Sequence, residues 1–526
     1  MRKIISIILC AVIFVSAFSF SAFAATPSDA QKKCEDDIIN AIWDMKASID
    51  VSKYKFKYSF SGDYVVCDEI DDIMRKIYYN YPEINYYLDT NQYYYNYGSG
   101  IIKKITFNYT MSKSEMLTKR KYLSDMATYV YNKINPAWSD MQKTLYIHDF
   151  IASNYCYDTR LYTVGGENHG MLEMFESGTG VCQAYAYAMI YFLRQVDIKS
   201  YMAISLEDNH GWNVVKIDGR WYHVDATHDD PLYNKYSKYD SFGRVQHDKF
   251  LLSDTEIDDG YHDNWYIPFK IEENNIYCSK YYGPDLYKEA LSSMVPMDDG
   301  YWYYMDYDRY NGGLKKTKDF YSSQLVYKFD DIWDIRGDNY GYSNLYTGLF
   351  EYNGNLFFTD ETMLYTYDPE DNKTVAVFGL TAEAQQNYGR FFGFQMIDEK
   401  CYLVVTKNAN FENVQVLVLD VCEKGHAIEK WMTYEEATIF KTGRKVLYCD
   451  ICLDILDEQE IPKIPLPQGA GDVNGDGMVT TADLATQKLF LADVSGVIVK
   501  SGADFNKDGK VNTTDLALLK LYLASF

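Results

Sequence analysis

The sequence predicts a multidomain protein. An α+β domain comes first, then a Tyr-rich all-β domain that reads as propeller-like or as a sandwich, then a small α-helical tail with two acidic loops. Three observations predict this order. A length of 526 residues exceeds what one hydrophobic core serves. Apolar residues recur mainly at helical spacing in the first part of the chain and in short aromatic strands after it. A Pro- and Gly-marked break near residue 461 then sets off the tail. Tyr is abundant at 52 and Pro scarce at 11, which favours ordered β-rich domains over disordered spacers.

The formal net charge of −24 repels nucleic acid and anionic lipid, so neither is expected as a partner. No glycine pattern for a dinucleotide or a phosphate loop is present, and no nucleotide is expected.

Residues 1–24 read as a secretory signal peptide. Arg2 and Lys3 form a charged start, Ile4 to Phe20 an apolar run, and Ala22-Phe23-Ala24 a small-residue cleavage site. Polar Thr26, Pro27, Ser28 and Asp29 follow with no basic stop, which argues against a membrane anchor. Bulky Leu9 precedes Cys10 and the apolar run continues past it, so Cys10 is not read as a lipidation site. No later stretch is apolar enough to span a bilayer. An extracellular location is expected. Nine of the ten cysteines lie beyond the signal, an odd count that leaves at least one thiol unpaired. Cys449 and Cys452 form a lone Cys-x-x-Cys without a nearby His, which favours a buried or locally bridged pair over zinc.

From 31 to 266 the pattern is mixed. Ile38, Ile42 and Met45, and then Ile70, Ile73 and Ile77, fall at helical spacing. Ile101 to Tyr109 alternates like a strand, and Leu145, Ile147, Phe150 and Ile151 mark a later helix. From 271 to 460, aromatic runs such as YWYYMDY, NLFFTD and CYLVV alternate with polar turns. Stretches starting near Tyr301, Leu345 and Phe391 are weakly alike at a period of about 45 residues, in the range of propeller blades. Too few units are evident for a full propeller, so a sandwich or a partial repeat fits equally. The aromatics can bind sugars or peptides, although such residues more often form the packing face of Tyr-rich sheets. Residues 461–470 form a linker punctuated by Pro462, Pro465, Pro467 and Gly469.

The tail, 471–526, holds two loops in register. Asp472, Asn474, Asp476, Gly477 and Asp483 recur as Asp504, Asn506, Asp508, Gly509 and Asp515. This spacing wraps carboxylate and amide oxygens around a hard cation, with the carbonyls of Met478 and Lys510 as further ligands, so two Ca2+ ions are expected. Each loop leads into an apolar helix. Asp rather than Glu closes each loop, only the exiting helix is present, and the unit is duplicated at the chain's end. The tail thereby resembles the type I dockerins of bacterial cellulosomes. That resemblance implies docking onto a cohesin module of a scaffold protein, with recognition centred on Thr481 and Ala482 in one loop and on Thr513 and Thr514 in the other.

Upstream lies ESGTGVCQAYAYAMIYFLRQ. Cys182 follows a Gly-Thr-Gly turn and opens a run apolar on nearly every face, as in a buried central helix. A thiol at a helix N-terminus gains thiolate character from the dipole and the free N–H groups, which suits a nucleophile. Taken alone it would more often be a plain buried cysteine. The segment DNHGWNVVKIDGRWYHVDATHDDP then reads as a hairpin about Asp218-Gly219. A two-residue turn pairs Ile217 with Arg220, hence Trp212 with Asp225 and His210 with Thr227. His210 and Asp225 become diagonal neighbours on one face, so that Asp225 orients the imidazole and the other ring nitrogen faces the thiol. A three-residue turn would break this register. His223 shares the face as a rival base, although a strand position beside Trp221 favours a structural role. His148 and His169 read as packing or surface histidines.

Cys, His and Asp in this order, in GTGVCQAYA and NHGWNVVKIDGRWYHVDAT followed by DDP, resemble the transglutaminase-like superfamily, relatives of papain-type cysteine peptidases. The helix LYIHDFIASNYCYD and the later HDKFLLSD are similar to flanking elements of bacterial members. The resemblance implies Cys182 as nucleophile, His210 as general base and Asp225 as its orienter. The family commonly has Trp where this chain has His228, which alters the acyl pocket. Gln183 is a candidate oxyanion-hole contributor. The implied activity is a cysteine hydrolase or acyltransferase acting on an amide of a peptide or protein. The alternative is a catalytically idle scaffold whose β domain binds glycan or cell wall. Direct glycan cleavage ranks lower, since no paired catalytic carboxylates stand out.

Overall fold

The computed structural model describes residues 26–524 except 232–242, 307–311, 330–347, 421–428, 450–454 and the shorter stretches 63, 91, 163–164, 167, 274–275, 353, 388, 398–399, 408–409, 440 and 467–468. The expected signal peptide, with Cys10, and also Leu345, Cys452 and Pro467 lie outside the described residues. Among those described, no helix is long and apolar enough to cross a membrane. The chain divides into two compact units, Met1–Val375 with Tyr388–Val418, and Ala376–Asn387 with Leu419–Phe526.

The first unit begins with helix Asp29–Trp43, capped where the Ser28 hydroxyl accepts from Gln31 N–H. Its Ile38 and Ile42 are buried as their spacing predicts, whereas Met45 lies past the helix end with φ +51°. Helix Asp68–Asn80 buries Ile70, Ile73 and Ile77, and its first turn carries Asp68, Glu69 and Asp71 against the helix dipole. Strand Ile101–Thr106, shorter than the alternation to Tyr109 suggests, is the centre of a three-stranded sheet. These elements enclose one hydrophobic cluster of their own.

A second cluster is built around helix Cys182–Gln195, which buries every residue from Ala184 to Leu193. Helices Lys113–Asn132, Asp140–Asn154 and Met171–Ser177 contribute to the same core. So does an antiparallel sheet ordered Phe250–Leu252, Arg220–Val224, His210–Ile217, Ser200–Ser205. This core does not stop at residue 266. Tyr287, Met294, Trp302, Tyr304 and Phe320 belong to it, and the rings of Trp138 and Trp302 stand 4.8 Å apart.

The Tyr-rich stretches fold as successive antiparallel meanders. Val295–Pro296, Trp302–Met305, Gly313–Thr317 and Gln324–Lys328 pair in chain order. Leu349–Tyr352, Asn355–Thr359 and Met363–Asp368 form the next, and Phe391–Ile397 with Lys400–Lys407 belong to another. The similarity seen near Tyr301, Leu345 and Phe391 thus corresponds to separate sheets, and none of the described sheets closes into a barrel or propeller. Many of the aromatics pack on each other across the sheets, with Tyr303 on Tyr367 and Tyr327 on Phe358 at 5.8 and 5.7 Å. Gln395 Nε2 donates to the Ser153 carbonyl at 2.7 Å, tying the third meander to helix Asp140–Asn154.

In the second unit, Glu429–Glu435, Gly443–Cys449 and Ile455–Ile461 form a further meander. Helices Thr481–Leu491 and Thr513–Ala524 follow, around Val473, Ala503, Phe505 and Leu519.

Candidate active site

Cys182 is the first residue of its helix. The preceding helix ends at Gly178 in the left-handed conformation. Thr179-Gly180 then pairs in parallel with Cys156–Tyr157, and extended Val181 caps the next helix. Gly180 permits this close approach, since a Cβ there would lie 2.8 Å from both Ala184 Cβ and Met174 Cγ. The chain is therefore steered so that the thiol stands among the unbonded N–H groups of a first helical turn.

The hairpin forms in the predicted register. Asp218 and Gly219 take φ +49° and +78°, as a two-residue mirror-image turn requires. Ile217 pairs with Arg220 and Asn213 with Val224. The ladder stops there rather than continuing to Trp212–Asp225 and His210–Thr227, because the chain turns and Asp229 N–H donates to the Asp225 carbonyl. The side chains still meet: His210 Nε2 lies 2.7 Å from Asp225 Oδ2. That leaves Nδ1 as the nitrogen available to the thiol. Trp212 stacks on the His210 ring at 5.5 Å and 17°.

The surroundings shift the thiol and the imidazole in the directions that favour an ion pair. Burial pushes the Cys182 thiol up, but the hydrogen bond and charge of His210 and the Gly211 backbone N–H outweigh it and hold the thiol below its ordinary value. Burial lowers His210, yet the Asp225 carboxylate and the Cys182 contact raise it well above 6.5. Burial likewise opposes ionisation of Asp225, and His210, His228 and His262 together hold its carboxyl far below the usual range. Cys34 and Cys67, by contrast, are pushed up to about 12, chiefly by burial, and Cys278 and Cys401 are pushed up as well.

The other histidines sort by their partners. His223 is fully buried, accepts from Trp212 Nε1 at 3.0 Å and bonds Asp254 through Nε2. Its ring packs against Trp265 at 4.7 Å. His148 is equally buried, between Asp149 and Asp229 at 2.8 and 3.1 Å, and His169 is exposed. His228 Nδ1 stands 2.6 Å from Asp225 Oδ2. The THDDP segment is thus spent on anchoring, with Asp229 holding His148 and the Lys249 N–H, and Asp230 accepting from the Tyr185 hydroxyl. Gln183 commits its side-chain amide to the hydroxyls of Tyr78 and Tyr187 at 2.9 and 2.8 Å, which takes that amide away from an oxyanion role. Sequence reasoning missed His262, whose Nε2 is 2.9 Å from Asp225 Oδ2 and whose Nδ1 is 2.9 Å from Asp259.

In the tail the two loops repeat one hydrogen-bond pattern. Asp483 is buried, with Oδ1 accepting from Val473 and Asn474 N–H and Oδ2 from Thr480 N–H. Asp515 does the same for Phe505, Asn506 and Asn512. Asp472 and Asp504 accept from the N–H of Gly477 and Gly509, whose φ values are +86° and +82°. The donor set of Asp472, Asn474, Asp476 and the Met478 carbonyl, repeated as Asp504, Asn506, Asp508 and the Lys510 carbonyl, is oxygen throughout. It fits a hard divalent cation.

Two family models match the chain. Residues 470–524 match the type I dockerin domain, and residues 127–226 match the transglutaminase-like superfamily. No curated protein matches. Among solved structures, a TGase is 11% identical with TM-score 0.20, covering 28% of this chain and 46% of that one. A candidate cysteine protease from Cytophaga hutchinsonii is 17% identical with TM-score 0.17, covering 26% and 61%. A candidate protease from Parabacteroides distasonis is 14% identical with TM-score 0.16, covering 26% and 35%. This chain therefore spans less than two thirds of each, and scores this low add nothing to the fold reading.

The transglutaminase-like match takes in Cys182, His210 and Asp225 and ends at Ala226, so His228, Asp229 and His262 lie beyond it. Type I dockerins bind calcium and dock cohesins. In this dockerin Thr481 with Ala482, and Thr513 with Thr514, are the exposed first residues of the two helices.

Proposed function

We propose that the protein is a secreted, cellulosome-associated cysteine enzyme that cleaves an amide through Cys182, His210 and Asp225. The observation that carries this reading is His210 held between Asp225 and a thiol at a helix N-terminus, with the thiol's acidity shifted towards the thiolate. The Cys182 thiolate attacks a Gln side chain or a peptide carbonyl. The imidazolium of His210 gives its proton to the departing amine, and water activated by the freed His210 then resolves the thioester. Asp225 orients His210 and balances its charge.

The dockerin loops each hold one Ca2+ through the oxygen sets named above, closed by Asp483 and Asp515. Thr481, Ala482, Thr513 and Thr514 face the cohesin.

The test needs no substrate. The mature protein is treated with limiting iodoacetamide at about pH 6, where an ordinary thiol is almost wholly protonated, and the modified cysteine is mapped by mass spectrometry. Cys182 should label first, and His210→Ala should slow it roughly tenfold or more. Labelling that is indiscriminate and indifferent to His210 would point instead to an idle scaffold, and to a search for glycan or cell-wall binding.

A further inference from the structure

Orienting His210 needs one contact to Asp225, yet three imidazoles converge on the same oxygen. His210 Nε2, His228 Nδ1 and His262 Nε2 lie 2.7, 2.6 and 2.9 Å from Asp225 Oδ2. A carboxylate oxygen offers two in-plane lone pairs, and the other oxygen already accepts from Thr227 N–H at 2.9 Å. The three nitrogens and the carboxylate all lie within 4.8 Å of one another. Three imidazoles and one carboxylate oxygen are the donor set of a tetrahedral site for a borderline divalent ion of the Zn2+ kind.

A second observation sits behind His262. Its Nδ1 is 2.9 Å from Asp259 Oδ1, and Asp259 is in turn paired with Lys249 at 2.7 Å. An outer carboxylate that takes the ring's N–H is what orients a metal-bound histidine and turns its other lone pair inward. A neutral imidazole has one N–H to give, so donation to Asp259 leaves Nε2 free to coordinate. The cluster is also reachable, since the His228 side chain is 35% exposed while His262 is sealed.

We propose that His210, His228 and His262, with Asp225, form a binding site for a Zn2+-type ion, and that filling it switches off the thiol chemistry. Coordination through Nε2 of His210 replaces the N–H that bonds Asp225, whose proton leaves to solvent, and keeps the ring's remaining proton on Nδ1. The ring then can neither take a proton from a neutral Cys182 thiol nor give its last proton to a departing amine without becoming an imidazolate. The site rests on its own geometry, and only the inhibition rests on the catalytic reading.

The experiment uses full-length, tag-free protein in excess Ca2+, so that the dockerin loops are filled. Zn2+ is titrated calorimetrically, and Co2+ serves as a visible probe of tetrahedral coordination. One high-affinity ion per chain is expected in addition to calcium. His228→Ala and His262→Ala should each weaken it at least about tenfold, and Asp259→Asn should weaken it roughly tenfold. Cys182→Ala should bind as the wild type does. Far-ultraviolet circular dichroism reports whether each variant is folded, and Cys182 labelling does so for those that keep the thiol. Equal Zn2+ binding by wild type and the His228→Ala/His262→Ala double variant overturns the proposal, as does no binding at all by the wild type. Cys182 labelling should be rapid in the metal-free protein and slow when the ion is bound. A protein that binds Zn2+ but whose Cys182 fails to label even when metal-free would uphold the metal site and sink the catalytic reading. Rapid labelling without Zn2+ binding would do the reverse.

Discussion

His148 is held towards its charged form in a buried pocket of the first unit. Its ring is fully buried, with Asp149 at 2.8 Å and Asp229 at 3.1 Å. Burial alone would neutralise it, but the hydrogen bonds it donates to the two carboxylates, and their charges, prevail and raise it to about 9. Burial pushes Asp229 up, whereas Asp149, shared with His247 at 2.9 Å, is held down, so Asp149 is the main counter-charge. A group raised above its unfolded value of 6.5 stabilises the fold fully below that pH and loses the contribution as pH rises through about 9. Stability measured by urea unfolding should therefore fall between those limits. In His148→Ala the carboxylates keep their burial and lose the ring between them, which leaves Asp149 to His247 and Asp229 to the Lys249 N–H. The expected cost is about 3–5 kcal/mol, with a flatter pH dependence. At the thiol, Asp225→Asn removes a charge-assisted hydrogen bond from His210. It should slow Cys182 labelling by roughly one to two orders of magnitude, which timed mass spectrometry can read.

Cys182, His210 and Asp225 were legible because each sits in a local pattern: a glycine turn before an apolar run, and a hairpin whose turn residues set the register. His262 was not. It lies 37 residues from Asp225 in a stretch without periodicity, and only folding brings the two together. For His148 the sequence offers only a packing or surface role, because helical spacing cannot reveal that two carboxylates share its pocket.

The helix that begins at Cys182 depends on how tightly the turn before it is packed. Gly180→Ala would drive a methyl group into Ala184 and Met174. It should cost about 1–3 kcal/mol and slow alkylation by displacing the first helical turn, which unfolding and labelling of one preparation can separate. The hairpin follows its Asp-Gly turn to Val224 and then leaves the ladder, because Asp225 to Asp230 is spent on a turn that aims carboxylates at three different elements. Alternation within the aromatic strands could be read from sequence. Which sheet each joins could not, because the same Tyr and Phe faces serve every meander.

At the level of the chain, calcium should govern docking and leave the thiol alone. Chelation with EDTA is expected to abolish cohesin binding, measured by calorimetry, while the Cys182 labelling rate stays within about twofold. Length works differently. A chain ended at Tyr266 keeps the motifs but discards Tyr287, Met294, Trp302 and Tyr304 from the core they complete. It should aggregate or label slowly, and even Trp302→Ala alone should cost about 3–5 kcal/mol.

The core around helix Cys182–Gln195 therefore fixes where a gene of this kind can be cut. A crossover placed between the last motif and the first aromatic strand would leave half an interior on each side, and neither product would be a working protein. The segment that can be inherited as a unit runs at least from the Lys113–Asn132 helix through Phe320, well past the stretch by which it would be recognised.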